Sequence, residues 1–233
     1  MNKKNYLNSI KNSQKSFIIY KTIKGFDLFT DFSKKIILNN QNIKYFLNQN
    51  HSSKKKYKST DLYIGFFGYE LLNNLIGIKI PRQKSINFPK GIFYKPETKI
   101  NLKEDLIYEP QSTHKIDRNF KINIDQNSYT KIFDKFKKKI RSGETYQIKI
   151  CTKYKNKSQI NPINFFWRLM KLNASPESFM IRDKNYSIVS CSPETLISKK
   201  GRNIITKPIA GTLRKKKNTN KSIALKYFKN NSK

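Results

Sequence analysis

Ser192-Pro193-Glu194 places one acid between two turn-forming segments. The acid follows the apolar run "SIVSCS" and precedes Thr195-Leu196-Ile197. A carboxylate so placed is expected to be partly desolvated, which suits it to general-acid work. An acid that merely closes a turn would look the same locally. Gln147 is the second candidate, a neutral amide inside the aromatic-aliphatic run "GETYQIKICTKY". Facing inward, it would need a polar partner or a ligand; facing outward, it would be an ordinary solvated Gln. The third is Pro208-Ile209-Ala210-Gly211-Thr212, at a strand end. There the amides of Gly211 and Thr212 and the Thr212 hydroxyl offer donors for a carboxylate, though a plain turn has the same composition. His51 and His114 lie in polar stretches without a partner in sequence. No segment reads as a zinc site, a phosphate loop or a Ser-His-Asp triad.

Elements that would position these residues are visible in the second half of the chain. "DQNSYTKIFDKFKKKIRSG" predicts a helix with Ile132, Phe133, Phe136 and Ile140 on one face, Ser128 as its cap and Gly143 as its stop. A strand is expected from Thr145 to Tyr154, with Tyr146, Ile148 and Ile150 on one side and Gln147, Lys149 and Cys151 on the other. Asn161-Pro162 opens a second amphipathic helix through "INFFWRLMKL". "ESFMIRD" and "YSIVSCS" predict a hairpin, and "RNIITKPIAGT" a further strand and turn. Upstream, "SFIIY" predicts a strand, "FDLFTDFSKKIILNN" a short helix or a strand pair, and "QNHSSKKKYKST" a polar loop. In "DLYIGFFGYELL", Gly65 and Gly68 interrupt an aromatic strand, which suggests close backbone approach. Leu71, Leu72 and Leu75 continue as a helical patch; "INFPKGIFYKPETKINL" reads as a turn and a strand, and residues 109–122 as a linker. Helices and hairpins alternate irregularly, so the expected class is α+β with a largely antiparallel sheet.

Composition bounds the partners. The formal net charge is +34. Yet 42 Lys stand against 7 Arg, alongside 26 Asn, and the lysines are spread along the whole chain. A selected phosphate-binding face would favour Arg, whose planar fork grips phosphate in two places. The pattern fits AT-rich codon drift rather than a specific nucleic-acid site. Aromatic content of 13% argues against disorder. Cys151 and Cys191 are too few for a disulfide or metal framework and are expected as buried free thiols. The N-terminus has no apolar core of a signal peptide, and no apolar run approaches a membrane span. A cytoplasmic protein without membrane partners is expected.

"GETYQIKICTKY", "NASPESFMIRD", "IVSCSPETLI" and "ITKPIAGTLRK", in that order and spacing, resemble the chorismate-utilising enzyme family. The match is most like anthranilate synthase component I, with aminodeoxychorismate synthase component I a close relative. "YIGFFGYEL" and "INFPKGIFYKPET" resemble the N-terminal region of these two. The resemblance implies an anthranilate-synthase-like α+β fold. It divides the chain into an N-terminal region, 1–122, and the first part of a catalytic domain, 123–233. Glu194 then matches the family's general acid. Gln147 falls where water-using members carry a lysine, so the resemblance points to the ammonia-using branch. A neutral amide cannot deprotonate water, whereas ammonia is already a nucleophile. Ala210 stands where aminodeoxychorismate synthases carry a nucleophilic lysine, which favours the anthranilate type. Gly211 and Thr212 match a segment that contacts chorismate.

The implied reaction adds ammonia to C2 of chorismate with loss of the 4-hydroxyl, then eliminates pyruvate to give anthranilate. The resemblance also implies Mg2+ as cofactor and a glutamine amidotransferase subunit as the ammonia source. In the family the magnesium-binding glutamates, a catalytic histidine and further substrate clamps follow Pro-Ile-Ala-Gly-Thr. None is found in these 233 residues. No Leu-Leu-Glu-Ser-type motif is found either, which leaves the family's tryptophan feedback unsupported. The expectation is therefore a C-terminally truncated, inactive or incomplete fragment, or a remnant that only docks the amidotransferase.

Overall fold

The computed structural model describes residues 15–49, 58–71, 75–77, 88–103, 119–173, 175–209, 211–214, 216 and 218–230. His51, His114, Leu72 and Ala210 lie outside the described residues, as do most of the loop 49–60 and residues 109–118 of the expected linker. The chain forms two compact units. One comprises residues 1–108 with 168–233, and the other residues 109–167.

The larger unit is built on β1 (Phe17–Thr22), β2 (Gly25–Ile37), β3 (Ile64–Phe67), β4 (Gly91–Leu102), and two later strands, β7 (Glu177–Arg182) and β8 (Ser187–Ser192). These form a six-stranded sheet of order β3-β4-β2-β1-β7-β8, with every neighbour antiparallel. "FDLFTDFSKKII" is one 13-residue strand together with Gly25, neither a helix nor a strand pair. It stays continuous because β4 pairs along nearly its whole length. Its midpoint carries Asp31 at φ 53° and a register shift between Phe32 and Lys34, so the strand bends without ending. The core lies over the centre of the sheet, where Ile18, Phe29, Ile92, Tyr94 and Ile181 are buried together. A second cluster, Leu38, Ile43 and Leu71, seats the short helix α1 (Ile43–Leu47) and a 3-10 turn at Tyr69–Leu71. The hairpin β9 (Thr195–Lys200) and β10 (Asn203–Lys207) follows β8, and α4 (Lys221–Asn230) closes the described chain.

The smaller unit holds β5 (Lys121–Ile122), α2 (Gln126–Arg141) and β6 (Tyr154–Lys155), and α3 (Pro162–Leu172) runs out of it. Asp125, not Ser128, caps α2: its carboxylate accepts the Ser128 amide at 2.7 Å. Ser128 is thus the third helical residue, where a cap's oxygen reaches. Gly143 ends the helix at φ +77°, as its position predicts. The apolar face of α2 stays largely uncovered, with no side chain of the helix buried. The strand expected from Thr145 to Tyr154 is not formed, apart from Tyr154 itself. Alternation alone does not hold a strand; a neighbour must supply hydrogen bonds. Among the described residues the ladder is limited to Lys121 and Ile122 opposite Lys155 and Tyr154, with Asn123 bonded to Lys153 beside it. In α3, Asn161 accepts the amides of Ile163 and Asn164. Ile163, Phe166, Trp167 and Met170 are buried at helical spacing. The cysteines depart from expectation: Cys151 is exposed in that unpaired run, and Cys191 is only half-buried in β8.

The described secondary structure is therefore α+β with antiparallel sheet, as the sequence implied. No helix among the described residues is long and apolar enough to cross a membrane.

One buried polar knot ties the sheet's two sides. Asp183, just after β7, accepts from Lys35 Nζ of β2 at 2.7 Å and from the Tyr94 hydroxyl of β4. Burial pushes the Asp183 carboxyl up, but the hydrogen bonds from Lys35, Tyr94 and the Lys184 amide outweigh it, and the net direction is down. Burial and the Asp183 contact push the Tyr94 hydroxyl up, so it stays a donor. A carboxyl lowered on folding stabilises the fold fully above the ordinary Asp value near ~3.9. That stability is lost as pH falls through the lowered folded value. Asp183→Asn should therefore flatten the acid limb of the stability-versus-pH curve. Tyr94→Phe should cost about 1–3 kcal/mol in urea unfolding, because Asp183 loses a buried donor.

Candidate functional site

Alternation along the central strands sends one set of side chains to a common face. Ile18 lies opposite Phe29 and Ile181, and Tyr20 opposite Asp27 and Phe179. Phe29 in turn faces Lys99, and Asp27 faces Asn101. Over this face lies a cavity of about 790 Å³. Its floor is Ile18, Phe29, Phe179 and Ile181; one wall is residues 62–65 and the other is Ser192 with residues 194–197. A volume of several hundred Å³ with a largely apolar lining and a few convergent polar groups is the usual form of a small-molecule site.

Four polar side chains border that floor: Tyr20, Asp27, Lys99 and Glu177. Lys99 Nζ pairs with Asp27 at 2.8 Å and sits 5.6 Å from the centroid of the Phe29 ring. Asn101 donates to the other Asp27 oxygen at 2.5 Å. Glu177 opens β7 and accepts from two sides: the Tyr20 hydroxyl at 2.5 Å and the Thr195 hydroxyl at 2.6 Å. Burial, with help from the Glu177 carboxylate, pushes the Tyr20 hydroxyl up to about 12, so it remains a neutral donor. Glu194 borders the same cavity. It is exposed rather than desolvated, because Pro193 and Glu194 lie outside the ladder, between β8 and β9. Exposure leaves its carboxylate free to meet a ligand entering from solvent.

The other described sequence candidates are not among the residues that line this cavity. Gly211, at φ +81°, and Thr212 are exposed and do not line the cavity. Gln147 is exposed in the smaller unit, where its carbonyl accepts from the Thr145 hydroxyl at 3.3 Å. Tyr20, Asp27, Lys99 and Glu177 were not singled out from sequence. A signal was present in "GFDLF" and "ESFMIR", where an acid sits within or at the head of an apolar strand.

A family profile described as "chorismate binding enzyme" matches residues 3–233. The chain belongs to this family. Its relatives include anthranilate synthase component 1 of Haloferax volcanii, 37% identical over 78 residues, covering 34% of this chain and 15% of that protein. Aminodeoxychorismate synthase component 1 of Bacillus subtilis is 29% identical over 100 residues, covering 43% of this chain and 21% of the relative. Anthranilate synthase component 1 of Archaeoglobus fulgidus is 25% identical over 181 residues, covering 72% of this chain and 43% of the relative. The chain thus spans less than half the length of each of these relatives.

Magnesium does not fit the groups described. Among the described residues no three His, Cys, Asp or Glu side chains gather at one point. Of the cavity acids, Asp27 is held by Lys99 and Asn101, and Glu177 by Tyr20 and Thr195.

The wall at Gly65 gives a direct test of the cavity's construction. A Cβ at Gly65 would lie 1.9 Å from the carbonyl oxygen of Ile92. That atom is backbone in the facing strand and has nowhere to go. Gly65→Ala should unpair β3 from β4, seen as rapid amide exchange across residues 64–67 while β1 and β7 stay protected.

Proposed function

We propose that this chain provides a chorismate site of the ammonia-using, anthranilate synthase type. The observation that carries the reading is the position of Glu194. In a chain whose whole described length falls within the chorismate binding family, the Ser-Pro-Glu acid stands free at the rim of the largely apolar cavity. The apolar floor accommodates the ring and excludes water, and Glu194 faces the substrate hydroxyl. Ammonia's lone pair forms a bond at C2, both ring double bonds shift in turn (C1=C2 to C1=C6, and C5=C6 to C4=C5), the C4–O bond breaks, and the new ammonium nitrogen gives up a proton. A proton from Glu194 lets the hydroxyl leave as water. Loss of pyruvate then yields anthranilate. Gln147, as an amide, cannot deprotonate water, which supports ammonia as the nucleophile. Gly211 and Thr212, with Ala210, are proposed as substrate contacts on the family resemblance alone, since Gly211 and Thr212 do not line this cavity.

The proposal keeps residues 123–233 as part of the catalytic domain and residues 1–122 as the N-terminal region. It takes Mg2+ and an amidotransferase subunit as further requirements of turnover. Two of the relatives above are named anthranilate synthase component 1, which supports a second component as the ammonia source. The isolated chain is accordingly proposed to bind chorismate without converting it.

Calorimetry with chorismate at moderate salt tests this. Saturable binding is expected, weakened about tenfold in Glu194→Ala, as loss of one hydrogen bond to the substrate predicts. Binding that disappears with modest added salt, or that ignores Glu194, would overturn the reading. Anthranilate fluorescence from the chain with chorismate, ammonium and magnesium would overturn the proposed lack of turnover.

The Bacillus subtilis match favours one second reading, amination toward aminodeoxychorismate. Ala210 argues against it, since a nucleophilic lysine is expected there. A chimera carrying residues 123–230 in the Archaeoglobus relative separates the two by product, anthranilate or aminodeoxychorismate.

A further inference from the structure

Chain geometry around Glu194 is loose by its own local bonds. Pro193 has no amide to donate, and the Ser192 hydroxyl reaches the Glu194 amide and carbonyl only at 3.4 and 3.5 Å. Hydrogen bonds that long contribute little. The short contact is one residue further on, where Thr195 donates to Glu177 at 2.6 Å. Glu177 is well placed for this. It lies opposite Ser192 in the β7–β8 ladder, so its side chain spans the turn from the last paired residue of β8 to the first residue of β9. Its second oxygen is fixed by Tyr20, whose own strand pairs with β7 through Phe179.

We infer that Glu177 is a positioning residue, a strut from Tyr20 to Thr195 that holds the Ser-Pro-Glu turn and so aims Glu194 across the cavity. Both hydrogen bonds are short and sit at a partly buried site, which makes them the strong members of the local set. The Thr195 contact spans the unpaired Pro193-Glu194 turn of the cavity wall, so the same carboxylate that ties β1 to β7 also anchors that turn. The geometric claim stands by itself. Its consequence for chorismate rests on the reading of Glu194 given above.

Residue-resolved amide exchange is the first measurement. Glu177→Ala should raise exchange at residues 194–196 about tenfold while Phe17–Tyr20 and Phe179–Ile181 stay protected. Glu177→Gln should restore slow exchange, because its amide oxygen still accepts from Thr195. Thr195→Val should mimic Glu177→Ala, and Thr195→Ser should behave as wild type. Glu177→Ala that is folded yet exchanges at the wild-type rate in residues 194–196 would overturn the strut. If Glu177→Ala fails to fold, Thr195→Val decides alone, with unchanged exchange again overturning it. Chorismate affinity is the second measurement. It should fall in Glu177→Ala about as far as in Glu194→Ala, and recover in Glu177→Gln. Exchange that responds as stated, with chorismate affinity indifferent to both Glu194 and Glu177, would leave the strut standing and remove the chorismate reading.

Discussion

The pairing of β1 with β2 and β7 is the constraint on which the rest of the larger unit depends. β1 sits between the two halves of the sheet, and Phe17, Ile18 and Ile19 are each at most 2% exposed. Both faces of this strand are therefore buried, and side chains alternate between them. A slip of one residue would turn Ile18 and Tyr20 away from the cavity and bring Phe17 and Ile19 into their place. Since both faces are buried, such a slip costs the Tyr20–Glu177 hydrogen bond rather than apolar burial. The observed register delivers Tyr20 to Glu177, Glu177 to Thr195, and Thr195 to the turn that carries Glu194.

Polar groups of the larger unit divide into two kinds. Asp183 with Lys35 and Tyr94 lies off the cavity and joins β2 and β4 to the end of β7. Asp27 with Lys99, and Glu177 with Tyr20 and Thr195, line the cavity but are already satisfied by protein partners, Asn101 adding a further donor to Asp27. Glu194 is the cavity acid left exposed at the rim. A site arranged in this way keeps most of its charge compensated and presents one carboxylate to a ligand. The surface excess of lysine acts differently. It attracts any anion at low salt over a range set by screening, without geometry.

Much of the architecture was legible in the sequence because strands with strong partners keep their pattern. "FIIY", "GIFYKPETKINL", "ESFMIR" and "SIVSCS" became strands where their alternation and β-branched content placed them. "FDLFTDFSKKII" was ambiguous because Asp31 and Ser33 interrupt the alternation; the bend at those residues is what the interruption encodes. The run from Thr145 to Lys153 departs from expectation for the opposite reason, since its pattern is clean but the described residues of the smaller unit offer it almost no hydrogen-bonding neighbour. Glu194 was legible from its motif, and its cavity was not. Tyr20 and Asp27 face each other in one hairpin, but Lys99 and Glu177 come from strands far along the chain, and only the register brings the four together.

The central claim is that chorismate occupies the cavity beside Glu194. Amide chemical-shift mapping during a chorismate titration, at a salt concentration that screens the surface lysines, tests it most directly. The account predicts saturable shifts concentrated at residues 62–65, 177–181 and 192–197. Shifts scattered over lysine-rich surface residues, or none in those three segments, would contradict it.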